Sequence, residues 1–349
     1  MLASIFYILL NMSIAGTVCI TAVLLLRKFR KLPRRLICGL WGLALVRLML
    51  PFTVSVPFSL FNFTGNFVKQ VFYTEQWRFL PLLPAITESR PFIELPQSTM
   101  PVSCMNAIGF AYPSAANFVG AAQPVRITPG GFLTFHTTVQ KDIFTAFAWI
   151  WLIGAILALA ALIWLYRQSR QPLKAAKYLR GNVYRSPAVD SPVLVGLFRP
   201  KILLPLGLDP DSEAGQMVIA HEQIHRRRRD NLFRLAAMVI ICFHWFNPFA
   251  WVLLRLLLRD TEQAVDSAVT RRYSAVQRKT YAAAMLRFAI QPNIRYPAFV
   301  HHFSRRNKKS QLSRRITAVL YPQRFSSVGL LFSVLIFTAA TLLLLTNPI

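Results

Sequence analysis

A chain of 349 residues has room for two domains, but 54 % hydrophobic residues, a mean hydropathy of +0.43 and 27 Phe point instead to a membrane protein. The 40 Lys+Arg against 13 Asp+Glu would suggest nucleic-acid binding in a soluble protein. Here the basic residues border long apolar runs and set orientation across a bilayer, so direct nucleic-acid contact is not expected. Cys19, Cys38 and Cys242 fall in apolar runs and only Cys104 in a polar loop, which excludes a disulfide framework.

Leu2 to Leu26 reads as a retained membrane span rather than a cleaved leader, because no basic segment precedes it. The Arg27, Lys28, Arg30, Lys31, Arg34, Arg35 stretch is then cytoplasmic and the N-terminus outside. Leu36 to about Leu60 returns, and Arg47 within it either pairs inside the bundle or, as expected, snorkels to a boundary. Residues 63–142 form an extracytoplasmic segment, nearly balanced in charge and too proline-rich for long helices. A third span over 143–166 runs inward to Arg167, Arg170 and Lys174.

Residues 167–324 make the cytoplasmic domain. Val183-Tyr184 and Ser191 to Pro205 read as two or three short strands, which serve either as scaffold or as an edge for an extended substrate. Asp209, Asp211, Ser212 and Glu213 supply an N-cap and an acidic first turn for the next helix. That helix carries His221-Glu222-Gln223-Ile224-His225, an HExxH motif. Residues at i and i+4 stack on one helix face, so His221 and His225 aim two imidazoles at one point. A catalytic zinc takes three protein ligands and a water. Glu262 is the expected third ligand, Glu222 the general base, and Asp266 of Glu262-x-x-x-Asp266 the acceptor that orients a ligand histidine. With 6 His and 6 Glu in the chain, chance gives only about 0.002 HExxH matches, so the motif is a specific signal.

The apolar run 232–258 separates the two halves of this site. A single crossing would put Glu262 across the membrane from His221. Asn247-Pro248 favours a turn, so the run is expected to dip into the bilayer and return as a helical hairpin. His244 near its tip is expected to be a satisfied or interfacial histidine rather than a ligand. Helix then runs from Thr261 to Ile290. Arg305, Arg306, Lys308, Lys309, Arg314 and Arg315 are expected to lie near anionic lipid, and 325–349 holds a fourth span.

In combination, Ser191-Pro192…Gly196…Pro200…Leu204-Pro205, HExxH with Asp230, Trp245-Phe-Asn-Pro248…Trp251, Asp260-x-Glu262-x-x-x-Asp266 and Tyr281 resemble the BlaR/MecR family of membrane-embedded zinc metallopeptidases, known for beta-lactam sensing and antirepression. The resemblance implies one zinc on His221, His225 and Glu262, with Glu222 as base. It implies a gluzincin-like α+β cytoplasmic domain on about four transmembrane helices plus the re-entrant hairpin. The family's usual Cys before the final Asp is Val265 here. No Ser-x-x-Lys motif occurs, so the chain is expected to lack the penicillin-binding sensor domain and direct acylation. The implied partners are membrane lipid and a cytoplasmic protein substrate, such as a winged-helix repressor or the chain itself, in a bacterial plasma membrane. The alternative is a signalling module of the same fold that does not depend on proteolysis.

Overall fold

The computed structural model describes residues 2–28, 32–50, 138–290, 308–322 and 335–340. The expectations for the extracytoplasmic segment, for Cys104, for the outer end of the second span and for most of the fourth lie outside them.

Five helices form an apolar bundle. These are α1 (Leu2–Arg27), α2 (Arg34–Met49), α3 (Thr138–Ser169), α5 (Asp230–Phe243) and α6 (Pro248–Val269). Ile20, Ile37, Leu40, Trp41, Leu48, Ile241 and Leu253 are completely or almost completely buried at its centre. The expected snorkelling of Arg47 does not occur. Its side chain is only 2 % exposed and packs inside the bundle, because α2 turns that face toward its neighbours rather than outward.

Among the described residues one helix, over Ala146–Leu173, is long and apolar enough to cross a membrane. Ala148, Trp151, Ala155 and Leu162, at helical spacing, face the bundle, while Phe147, Trp149, Ile150, Ile153, Ile156, Leu157, Ile163 and Trp164 are exposed. Gly154 lets α3 approach the tip of the α5–α6 turn, since a Cβ there would run into the Trp245 indole.

The chain reverses at His244–Asn247, between α5 and α6. A reversal inside an apolar bundle leaves backbone groups that need partners. Here side chains supply several of them, and the Trp245 indole anchors the turn to a carbonyl of α3. Trp151 Nε1 donates to Phe243 O at 2.8 Å, Trp251 Nε1 to Trp245 O at 2.8 Å, and Trp245 Nε1 to Trp151 O at 3.1 Å. Asn247 Oδ1 accepts from Phe249 N at 2.9 Å, and its amide reaches Ser13 Oγ at 2.8 Å and Thr17 Oγ1 at 2.9 Å on α1. His244 donates from Nε2 to Leu48 O of α2 at 2.9 Å, while its buried Nδ1 has no hydrogen-bond partner among the described residues, so the ring is only half satisfied.

At the other end of the bundle sits a small lobe with a four-stranded sheet of order β1-β2-β4-β3. Its strands are β1 (Lys177–Arg180), β2 (Val183–Arg185), β3 (Val193–Val195) and β4 (Lys201–Leu204). The pairing β2–β4 is parallel and the other two are antiparallel. The sequence reading lacked β1, because its four residues Lys-Tyr-Leu-Arg are all exposed and carry no burial alternation.

Helix α4 (Glu213–Arg227) lies between this sheet and α6. Val218 and Ile219 join Ile202 and Leu204 of the sheet, while Met217 and Ile224 join Val265 of α6 and Tyr281 of the next helix, α7 (Ala275–Ile290). The expected single helix from Thr261 to Ile290 is broken. α6 ends at Val269 and α7 spans Ala275–Ile290. Ser274 and Gln277 form a reciprocal cap, with Ser274 N to Gln277 Oε1 at 3.0 Å and Gln277 N to Ser274 Oγ at 3.2 Å, which starts a new helix there. Helix α8 (Lys308–Leu320) packs on α7 and α6.

Candidate metal centre

The N-terminus of α4 is built by local chemistry. Ser212 caps it, accepting from Gly215 N at 3.1 Å, and Glu213 lies in the first turn. Gly215 is required because a Cβ would collide with the Asp209 carbonyl oxygen. Two turns later His221 and His225 stack with ring centroids 4.8 Å apart. Both are buried, and Glu222 beside them is half-buried. After His225 the chain turns through Arg229, at φ 55 the one non-glycine residue with positive φ among those described. A left-handed arginine is a strained choice. It lets α5 begin at once, with Asp230 facing back to His225.

The return limb of the turn, α6, carries Glu262 to the same place. His221 Nε2 and His225 Nε2 are 3.1 Å apart, and Glu262 lies 3.6 Å from the first and 3.5 Å from the second. One ligand atom from each of the three falls within 4.8 Å of the others. Ligands about 2.0–2.1 Å from a tetrahedral zinc are about 3.3–3.4 Å from each other, so the three groups have the right mutual spacing.

The hydrogen bonds behind the ligands explain the orientation. Asp230 Oδ2 accepts from His225 Nδ1 at 2.6 Å. Tyr281 O–H donates to Asp266 Oδ1 at 2.8 Å, so its oxygen accepts from His221 Nδ1 at 2.8 Å. Both Nδ1 atoms therefore carry the proton, and both Nε2 lone pairs point at Glu262 and at each other. Two lone pairs and a carboxylate meeting in a buried space need positive charge between them. The same demand shows in His221. Burial pulls its imidazolium down, but the Asp266 and Glu262 carboxylates outweigh burial and lift it to about 10. A proton or a metal ion meets that demand, and the donor set of two imidazoles and one carboxylate suits zinc.

Asp266 Oδ1 stands 3.4 Å from His221 Nδ1, and the Tyr281 hydroxyl, 2.8 Å from each, bridges them by the two shorter contacts. Asp230 is the carboxylate in direct contact with a ligand histidine. The sequence reading placed Asp230 and Tyr281 in the motif pattern without these contacts. It assigned neither of two further residues to the site. Arg234 of α5 reaches Glu262 Oε1 at 2.7 Å, and Arg315 of α8 reaches Glu262 Oε2 at 3.3 Å and Asp266 Oδ2 at 2.7 Å. Arg315 was expected near lipid; instead α8 turns it inward, where two carboxylates compensate its burial. Burial would raise the Glu262 and Asp266 carboxyls, but charge wins. His225 and Arg315 hold Glu262 well below the usual range, and Arg315 does the same to Asp266. Burial and the Asp266 charge push the Tyr281 phenol well above its ordinary value.

Next to the site, Asp260 is fully buried and takes Arg27 through two bonds of 2.8 and 2.9 Å and Trp41 Nε1 at 3.0 Å. This ties α1 and α2 to the helix that carries Glu262. The strand β3 is held to the start of α5 by Asn231, whose amide donates to Leu194 O and Gly196 O at 3.0 Å each. Those two carbonyls are thus engaged within the chain, which fits a scaffold role for β3. The adjacent pair His301-His302, whose side chains would point to different helix faces and so make a poor chelate, lies outside the described residues.

Comparison with known proteins places this arrangement. The chain is 30 % identical over 156 residues to "Regulatory protein BlaR1" of Bacillus licheniformis, covering 44 % of this chain and 26 % of the relative. It is 20 % identical over 259 residues to "Methicillin resistance mecR1 protein" of Staphylococcus aureus, covering 68 % of this chain and 44 % of the relative, with the same figures for the Staphylococcus epidermidis protein. The chain thus spans under half the length of these curated relatives. A peptidase family model, BlaR1 peptidase M56, matches residues 7–319, nearly the whole bundle and the whole metal-centre lobe. The chain belongs to the BlaR1 peptidase M56 family.

Proposed function

We propose that this chain is a membrane-embedded zinc endopeptidase with a gluzincin-like cytoplasmic lobe, four spans and a re-entrant hairpin. It acts in transmembrane signalling by cutting a cytoplasmic protein, a winged-helix repressor or the chain itself, in a bacterial plasma membrane. The observation that carries this is the convergence of two imidazole lone pairs and one carboxylate, with each imidazole's other nitrogen held by Asp230 or Tyr281.

His221, His225 and Glu262 would hold one zinc per chain. Zinc held there supplies a Lewis acid for a peptide carbonyl and lowers the pKa of water toward neutrality. Glu222, next to His221 on α4, takes the proton from the attacking water and passes it to the leaving amine. Asp230 and Tyr281 keep the two imidazoles in the tautomer that points Nε2 inward. Arg234 and Arg315 hold the Glu262 and Asp266 carboxylates ionised and in place.

The membrane reading has its own support. The outward face of α3 is large and apolar, with exposed Trp149 and Trp164 about 22 Å apart along the helix, as at two interfaces. Helix α5 has 14 residues, about 21 Å, which is too short for a bilayer core of roughly 30 Å. The chain therefore returns with Glu262 on the side of His221.

The test is Glu222→Gln beside His221→Ala. Purified Glu222→Gln protein is expected to keep stoichiometric zinc while cleavage of a supplied substrate falls about 10²–10⁴-fold. His221→Ala is expected to lose both. Wild-type cleavage by Glu222→Gln would remove Glu222 from the base role, and unchanged zinc in His221→Ala would dismantle the site.

A further inference from the structure

A second site lies beside the metal centre, on the far side of the C-terminal end of α4. A cavity of about 580 Å³ opens between the β1–β2 turn, the β3–β4 loop and the start of α5. Arg199, Lys201, Arg226, Arg227 and Arg229 line it, and no carboxylate is among the lining residues. Two neighbouring arginines are paired instead, Arg180 with Asp211 and Arg228 with Asp230. All five cations are exposed and one of them, Lys201, lies over the Tyr184 ring at 4.3 Å, so the cavity presents a solvated positive field that attracts an anion. Asn182 also lines the cavity, and its amide nitrogen has no hydrogen-bond partner among the described residues.

The apolar part of the wall identifies the anion. Phe198, at 88 % exposure, sits on the β3–β4 loop between Leu197 and Arg199. Leu232, the first apolar residue of the hairpin limb α5, closes the other side. Cations flanked by an exposed aromatic ring and by the start of a bilayer-dipping helix match an amphiphile with a charged head. An acidic peptide would use the cations and leave Phe198 in water.

We propose that this cavity binds the phosphate headgroup of an anionic phospholipid of the cytoplasmic leaflet, with Phe198 inserted at the interface. The bound lipid seats the sheet and α4 against the membrane surface. This rests on the membrane reading given above and not on the peptidase chemistry, so zinc content and cleavage report separately on the latter.

The test uses the purified full chain in neutral detergent and the fluorescence anisotropy of nitrobenzoxadiazole-labelled phosphatidylglycerol, with labelled phosphatidylcholine in parallel. Phosphatidylglycerol is expected to bind at least about tenfold more tightly, since each basic residue near an anionic lipid contributes about fivefold. The pairs Arg199→Gln/Lys201→Gln and Arg226→Gln/Arg227→Gln, on two separate elements, are each expected to weaken it about 25-fold. The control Arg271→Gln/Arg272→Gln removes the same charge from an exposed turn elsewhere and is expected to change it less than fivefold. Unchanged zinc content and melting temperature verify that a variant is folded, and either cavity pair suffices. Equal affinity for both lipids, or cavity pairs no weaker than the control, overturns the proposal. Displacement of phosphatidylglycerol by equimolar inorganic phosphate or by an oligoglutamate peptide overturns it too, by naming a free anion or an acidic polypeptide as the ligand.

Discussion

Asp230 offers a quantitative test of how the metal centre is held. Its carboxylate accepts from His225 Nδ1 at 2.6 Å with both side chains buried, whereas His221 Nδ1 meets a neutral phenol oxygen at 2.8 Å. A hydrogen bond to a charged group contributes about 1.5–3 kcal/mol and a neutral one about 0.5–1.5 kcal/mol. Asp230→Asn keeps an acceptor but loses the charge, a difference of about 1–1.5 kcal/mol, or roughly tenfold in zinc affinity. Asp230→Ala loses the whole interaction and should fall in the 10–100-fold range usual for such partners. For His221, Tyr281→Phe removes a neutral acceptor and leaves Asp266 Oδ1 3.4 Å from Nδ1, so zinc affinity should fall less than about tenfold even though Asp266 loses a donor. Competition against a fluorescent zinc chelator, on full-length protein in detergent, ranks the four proteins. The expected order is wild type, then Tyr281→Phe and Asp230→Asn, then Asp230→Ala. A Tyr281→Phe loss larger than that of Asp230→Ala, or wild-type affinity in Asp230→Ala, would refute the assignment of Asp230 as the principal support.

Further outcomes follow from the electrostatics and the topology. Because the metal-free His221 titrates at about 10, it is protonated at neutral pH and zinc must displace that proton. Zinc affinity should therefore rise about tenfold per pH unit between pH 6 and 9, with about one proton released at pH 7.5 in calorimetry across buffers of different ionisation enthalpy; a flat pH dependence would contradict this. Asp260→Ala leaves Arg27 unpaired with its side chain 20 % exposed, so a loss of about 3 kcal/mol, the low end for a broken buried pair, is expected in denaturant titration. Adding Arg27→Met should recover part of that loss, and equal instability in the single and double variants would deny the pair its role. Reporter fusions after Arg180 and Arg271 should both read cytoplasmic and one within 97–120 external; opposite sides for Arg180 and Arg271 would break the hairpin reading and the shared metal site with it.

Local periodicity made a large part of this legible in the amino-acid sequence. HExxH stacks His221 and His225 because the α-helix repeats every 3.6 residues, and that holds wherever the helix goes. The Ser212 cap, the Asn247-Pro248 turn and the apolar stretch of α3 are equally local, and each was readable. The Ser274-x-x-Gln277 cap that splits α6 from α7 was readable in principle too, but a continuous helical pattern masked it. Only the tertiary structure decided which charges turn inward. Arg315 looks like any other member of a basic surface run, yet it meets Asp266 across 49 residues of sequence. Arg27 meets Asp260 across 233, and Arg47 lies buried inside the bundle. A long-range ion pair leaves no periodic trace, since its stabilisation depends on burial that packing creates. The same is true of the choice between Asp230 and Asp266 as the direct partner of a ligand imidazole. Spacing permits both, and the left-handed turn at Arg229, together with the position of Tyr281 between His221 and Asp266, selects Asp230.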